Sequence, residues 1–189
     1  MNNEKKMMLA IAVYAAVMTL IFNFHAKAQV ADAIASQDKA VIPIVVDEEV
    51  ADFLVKSADT RMTNAQGGLL AFEKGTTSAV RQYGEQMMED QSMLLEKLKQ
   101  LADARNVNLP GKMSHRKVDR HQRLLEESGR DFDEKFIKVM TADLERDIKQ
   151  FKKATVSNDK EVSAFAQRYL PLLQSHLKKI NEIDGEQNE

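Results

Sequence analysis

Val80, Gly84, Met87, Gln91, Leu94, Leu98 and Leu101 recur at alternating intervals of four and three. That rhythm puts one seam down a helix of about 30 residues, roughly 40–45 Å long. A seam of this length is buried only against other long helices, and the chain supplies them. Ala51, Val55, Ala58, Met62, Ala65, Leu69 and Phe72 trace an apolar stripe that precedes it. Ile137, Met140, Leu144, Ile148 and Phe151 trace another, with Phe132 and Phe136 at its start. Val162, Phe165, Ala166, Tyr169, Leu173, Leu177, Ile180 and Ile183 trace the last. The spacing predicts long helices from Glu48, from about Thr77, over Asp131–Thr155, and from the break at Ser157-Asn158-Asp159 onward. Gly75, the NVNLPG stretch at 106–111 and Ser128-Gly129 separate them. A shorter, basic segment, Met113–Ser128, relies on Val118, Leu124 and Leu125 for apolar contact. Only 7 Gly and 3 Pro punctuate 189 residues, which favours long helices over many short strands. The predicted fold is all-α: an antiparallel four-helix bundle with an extra short helix between the second and third long ones. Gly67 and Gly68, inside the first helix, invite a close helix approach. Pro171, inside the last, removes one helical hydrogen bond and predicts a kink.

The N-terminal segment has a different character. Two lysines in MNNEKKMM precede an apolar run, Leu9–Phe24, and Ala26 and Ala28 supply an Ala-x-Ala exit. This pattern reads as a secretory signal peptide over 1–28. Its apolar run spans roughly 24 Å as a helix, short of the ~30 Å hydrocarbon core. The alternative is an inner-membrane anchor left uncleaved. Residues 29–47 read as a leader broken at Pro43, 48–184 as the bundle domain, and 185–189 as a polar tail. The expected location is the periplasm or the outer membrane, with no transmembrane span in the mature chain. The chain has no Cys, which removes disulfides, thiolate catalysis, cysteine-ligated zinc and lipidation. Removing 1–28, with its three lysines and one glutamate, takes the net charge from −2 to −4. Mild acidity argues against nucleic acid as a partner.

Four stretches carry a family resemblance: RMTNAQGGLLAFEKG, AVRQYGEQMMED, SGRDFDEKFIKVM and VSAFAQRYLPLLQSHL. In order and spacing, from Phe53 to Ile183, the chain resembles a family of secreted bacterial proteins. That family is built on a domain of unknown function and is often labelled as outer membrane protein. The resemblance implies a ferritin-like four-helix bundle and no established activity. It also locates departures. Three positions that resemble a ferritin-like ligand set in the family hold Asn64, Gln91 and Leu144 here. His176 does match, but one imidazole is not a site.

The residues themselves argue in the same direction. Di-iron bundles need Glu-x-x-His on two helices, and the chain contains none. His115 and His121, six apart, do not share a helical face. Glu89 and Asp90 fall beside the second seam, where solvation is their expected role. Met87, Met88 and Met93 read as core and core edge; a copper site would need Met62, Met87 and Met140 to converge. No Gly-x-Ser-x-Gly elbow or phosphate loop is present. The expectation is therefore no catalytic, cofactor or metal residue, and an apolar interior at mid-bundle with Leu144 where an imidazole would grip an ion. Asn64 and Gln91, beside the seams, are expected to bond one another across the interface and set register.

One surface feature remains. Lys112, His115, Arg116, Lys117, Arg120 and Arg123 concentrate cations on the short helix. They form a candidate interaction patch for anionic headgroups, lipopolysaccharide or an acidic protein partner. The plainer reading is a solvated helix balanced by Glu126, Glu127 and Asp131. The expected function is a non-catalytic exported bundle that acts by binding. The alternative is a ferritin-like metal or redox protein with a non-standard ligand set.

Overall fold

The computed structural model describes residues 47–187. The signal peptide, the anchor alternative and the leader up to residue 46 lie outside the described residues. Within them the chain is all-helical: α1 (Glu48–Lys74), α2 (Ser78–Asp103), α3 (His115–Leu125), α4 (Gly129–Ala154) and α5 (Lys160–Gln187). α5 passes through Pro171 as one helix and continues beyond Asp184, where the sequence places a tail.

Local chemistry sets the ends. The Asp47 carboxylate accepts from Glu49 N at 2.8 Å, and Thr77 Oγ1 accepts from Val80 N at 3.2 Å. Asp159 Oδ1 caps α5, accepting from Glu161 N and Val162 N, each at 3.0 Å. Its carboxylate also receives a two-pronged Arg105 from the end of α2, at 2.6 and 2.7 Å. The pair joins the α2 terminus to the α5 start. It also holds the Asp159 carboxyl below its usual range.

The helices assemble into a bundle by two neighbouring pairs. α1 lies along α2 and α4 along α5, and the pairs meet through α1 against α4 and α2 against α5. α3 rests on α1 and α4. The seams of α2 and α4 are buried as their spacing predicts, from Val80 to Leu98 and from Ile137 to Phe151. Aromatic rings join the helices: Phe53 of α1 meets Phe151 of α4 edge-on at 5.3 Å, and Phe151 lies 6.0 Å from Phe165 of α5.

The α1 stripe requires a correction. The buried row is Ser57, Arg61, Asn64, Gly68 and Ala71, with Phe53, Leu54 and Ala58 beside it. It sits one position N-terminal to the apolar stripe, and Val55, a member of that stripe, is 37% exposed. The physical reason is that the row α1 buries contains an arginine, an asparagine and a glycine. Arg61 meets Asp147 and Gly68 meets Gly84, and none of the three registers as apolar.

The glycine is the simplest case. A Cβ on Gly68 would meet Gly84 O at 2.6 Å and Met88 N at 2.7 Å; one on Gly84 would meet Gly68 O and Phe72 N, each at 2.6 Å. The two backbones touch, so the obstacle is main chain and cannot rotate away. Gly84→Ala should destabilise by about 1–3 kcal/mol in urea unfolding, overpacking outweighing the ~1 kcal/mol helix-propensity gain. Gly185→Ala, where a Cβ meets nothing within 4 Å, should be neutral or slightly stabilising.

Candidate functional site

The interior is not the apolar column that the sequence suggests. Leu144 is fully buried, as are Met87 and Leu173, but the same interior holds Ser57, Arg61, Asn64, Gln91, Asp143, Asp147 and His176. Four helices contribute to this polar layer. Burial of charge is tolerable here because the charges come with partners.

Arg61 of α1 forms an ion pair with Asp147 of α4, both side chains 1% exposed. Its guanidinium also lies 5.5 Å from the Phe151 ring centroid. Burial pulls the Arg61 pKa down to about 9, with Asp143 opposing the shift. Arg61 Nε and Nη1 and Asp147 Oδ1 have no hydrogen-bond partner among the described residues. Asp143, one helical turn before Asp147, takes Arg120 of α3 at 2.7 Å and also pairs with Arg146.

His176 of α5 is 2% exposed, and its Nε2 lies 3.1 Å from Asp90 Oδ2 on α2. Asp90 therefore does more than solvate its helix. The Tyr83 hydroxyl donates to the His176 carbonyl at 3.3 Å, and the two rings meet edge-on at 5.8 Å. Burial pushes the phenol far up. Burial lowers the His176 pKa from its ordinary 6.5; Asp90 opposes this and Arg61 adds to it. The His176–Asp90 contact is close but not aligned as a hydrogen bond.

Asn64 and Gln91 do not bond one another. All four of their amide atoms are buried without a hydrogen-bond partner among the described residues, so the register bond expected from the sequence is not made. Register comes instead from charge pairing and the Gly68–Gly84 contact. Met87 and Met140 are core, and the Met140 methyl lies 3.0 Å from where a Gly67 Cβ would stand. Among the described residues no three His, Asp or Glu side chains converge as ligands of one ion would.

The candidate patch on α3 is divided by the fold. Lys112, His115, Arg116 and Arg123 are exposed. Lys117 is 9% exposed and turned inward, its Nζ 2.8 Å from Thr60 Oγ1 and 3.5 Å from Asp59. Arg120 is spent on Asp143. The six cations therefore do not form one surface. Of the apolar trio only Leu124 is buried; Val118 and Leu125 remain exposed. The correction has one cause: α3 meets the bundle at Asp59 and Asp143, so its inward face is cationic.

A separate cleft of about 290 Å³ opens between the start of α1 and the end of α4, walled by Val50, Phe53, Gln150 and Val162. Its rim charges are paired, Lys153 with Glu49 and Lys56 with Asp52, each at 2.7 Å.

Arg61, Asp143, Asp147 and Arg105 were missed by apolar periodicity. A signal existed: residues 57, 61, 64, 68 and 71 repeat the four-and-three rhythm of α2, and Asp143 and Asp147 are one turn apart.

Two outcomes follow from the layer. Asp147→Ala leaves Arg61 buried without its counter-charge and should cost about 3–5 kcal/mol in denaturant unfolding. Arg61→Met with Asp147→Leu should recover most of it. His176 resists protonation in the fold, so below pH 6.5 the unfolded chain binds the proton more readily. Stability should be intact above that pH and decline as pH falls through it. His121, lowered by half-burial, acts in the same sense. The urea midpoint measured down to about pH 5 should fall less steeply in His176→Gln than in the wild type.

Among the described residues no helix is long and apolar enough to cross a membrane. No curated protein and no solved structure matches the chain. Residues 31–183 match the family described as a domain of unknown function, DUF4142. That match spans all but the last few residues of the bundle and includes the Arg61–Asp147 pair, the Gly68–Gly84 contact and His176, and the chain belongs to this family.

Proposed function

We propose that the protein is a non-catalytic helical bundle of the bacterial cell envelope, exported to the periplasm or the outer membrane, that acts by binding. Its long helices form an antiparallel, ferritin-like four-helix arrangement. The short links at Gly75–Thr77 and Thr155–Asp159 favour antiparallel neighbours, since so few residues cannot return a chain along a helix. The observation that carries the binding reading is how the buried charge is used. Arg61 is spent on Asp147, Arg120 and Arg146 on Asp143, Arg105 on Asp159 and Glu161, and His176 on Asp90. All but the Arg146–Asp143 pair, which lies within α4, tie one element to another, which leaves the outer surface for contact with an acidic protein or an anionic envelope surface. The apolar run Leu9–Phe24 with its Ala-x-Ala exit supports export.

A second reading, a ferritin-like metal or redox protein, draws on His176 beside Asp90 and the unpartnered Gln91 amide. Fractionation with intact-mass measurement tests the first reading. The expected product is a periplasmic or membrane-associated chain beginning at Gln29, without stoichiometric metal. Cytoplasmic recovery at full length would remove the envelope assignment. A retained N-terminus in the inner membrane would favour the uncleaved anchor. Bound iron, copper or zinc with a raised melting temperature would favour the second reading.

A further inference from the structure

α3 is attached differently from the other helices. Leu124 is the one apolar side chain that it buries. Its other attachments are polar. Asp59 accepts from Ser114 N at 2.8 Å and Ser114 Oγ at 2.9 Å, and pairs with Lys117. Lys117 donates to Thr60, and Arg120 to Asp143. Lys74 donates to the Leu125 carbonyl at 2.5 Å, and Lys135 to the Arg123 carbonyl at 3.2 Å. Releasing α3 returns Lys117, Arg120 and Asp59 to water, and rehydration offsets much of the lost pairing. The long helices, with whole aromatic and aliphatic stripes buried, have no such compensation. A glycine in the left-handed region, Gly129 at φ +60°, and Asn106 at φ 55° mark backbone bends on either side of the segment.

The docked helix makes a poor contact surface. At 100° per residue, Val118 and Leu125 lie on one flank, Arg116 and Arg123 on the other, and His115, Asp119 and Gln122 between them. Release changes this. Leu124 joins Val118 and Leu125 as the apolar side chains of a sector about 120° wide, with His121 and the long aliphatic stem of Lys117 among them, and Arg120 joins Arg116 and Arg123 in the neighbouring cationic sector. That is the pattern of a helix that lies in a bilayer interface among anionic headgroups. We propose that α3 is a polar-latched helix that leaves its Asp59–Asp143 berth to bind an anionic phospholipid surface. This rests on the reading of an envelope protein that acts by binding.

The latch makes a distinctive prediction: weakening the bundle side, without touching α3, strengthens membrane binding. The exported chain beginning at Gln29 is co-sedimented with phosphatidylglycerol–phosphatidylcholine vesicles and with pure phosphatidylcholine vesicles. Hydrogen exchange over residues 115–125 is followed without lipid. Asp59→Ala should speed α3 exchange by about tenfold, leave the long helices unchanged, and raise binding to the anionic vesicles several-fold. Asp52→Ala removes an acid on the same helix that pairs with Lys56 rather than α3, and should change neither. Arg116→Glu with Arg123→Glu, both exposed, should cut anionic-vesicle binding by at least about tenfold with helix content preserved. Equal binding by wild type and Asp59→Ala, or by Asp59→Ala and Asp52→Ala, overturns the proposal. So does α3 exchange as slow as that of the long helices, or equal binding to neutral vesicles. Vesicle failure with the processed chain still in the envelope sinks this inference alone; cytoplasmic recovery sinks the envelope reading whatever the vesicles show.

Discussion

The ion pair between Arg61 and Asp147 determines how α1 sits in the bundle. A guanidinium this deeply buried can face only one direction, toward its carboxylate. Fixing it turns α1 so that Asn64, Gly68 and Ala71 follow inward. Gly68 then meets Gly84 backbone to backbone, which sets how closely α2 approaches. A buried ion pair is a weak source of net stability, since desolvation consumes most of the attraction. Its contribution here is to orientation: any other rotation of α1 leaves a charge stranded in a low-dielectric interior.

From that pair the polar layer extends to both sides of the bundle. Asp143 reaches outward to Arg120 and Arg146, and His176 reaches Asp90 at the other edge. The layer crosses the bundle from the face where α3 rests to the partly exposed Asp90. Interior and surface are thereby coupled. The carboxylate that holds Arg120 also lowers the cost of burying Arg61, so the attachment of α3 and the electrostatics of the core share Asp143. Salt screens the more exposed of the ion pairs that hold α3, so its attachment weakens as ionic strength rises. That links the packing of the fold to its proposed work at an anionic surface.

Legibility in the sequence varied from helix to helix, for a common reason. The seams of α2, α4 and α5 are mostly apolar, and hydrophobic periodicity recovers them nearly residue for residue. On α1 the buried row carries Arg61, Asn64 and Gly68, so an apolar reading slides one position to Val55 and Met62. The α3 cations look like one patch in the sequence because a sequence shows charges without their partners. Asp59 and Asp143, some 55 and 23 positions from the residues they hold, decide which cations face inward. Asn64 and Gln91 show the opposite error. Their polarity and seam positions argue for a mutual bond, and the fold buries both without making it.

Order along the chain is enough to set the class of structure and its segmentation. Apolar spacing, the turn residues between stripes and the absence of cysteine depend only on local order along the chain, and they suffice for long helices in a bundle. Tertiary structure alone decided which polar residues enter the core and which cations remain outside. Burying a charge is favourable only when an opposite charge arrives from another helix, and that meeting is a property of three-dimensional proximity that no local pattern encodes.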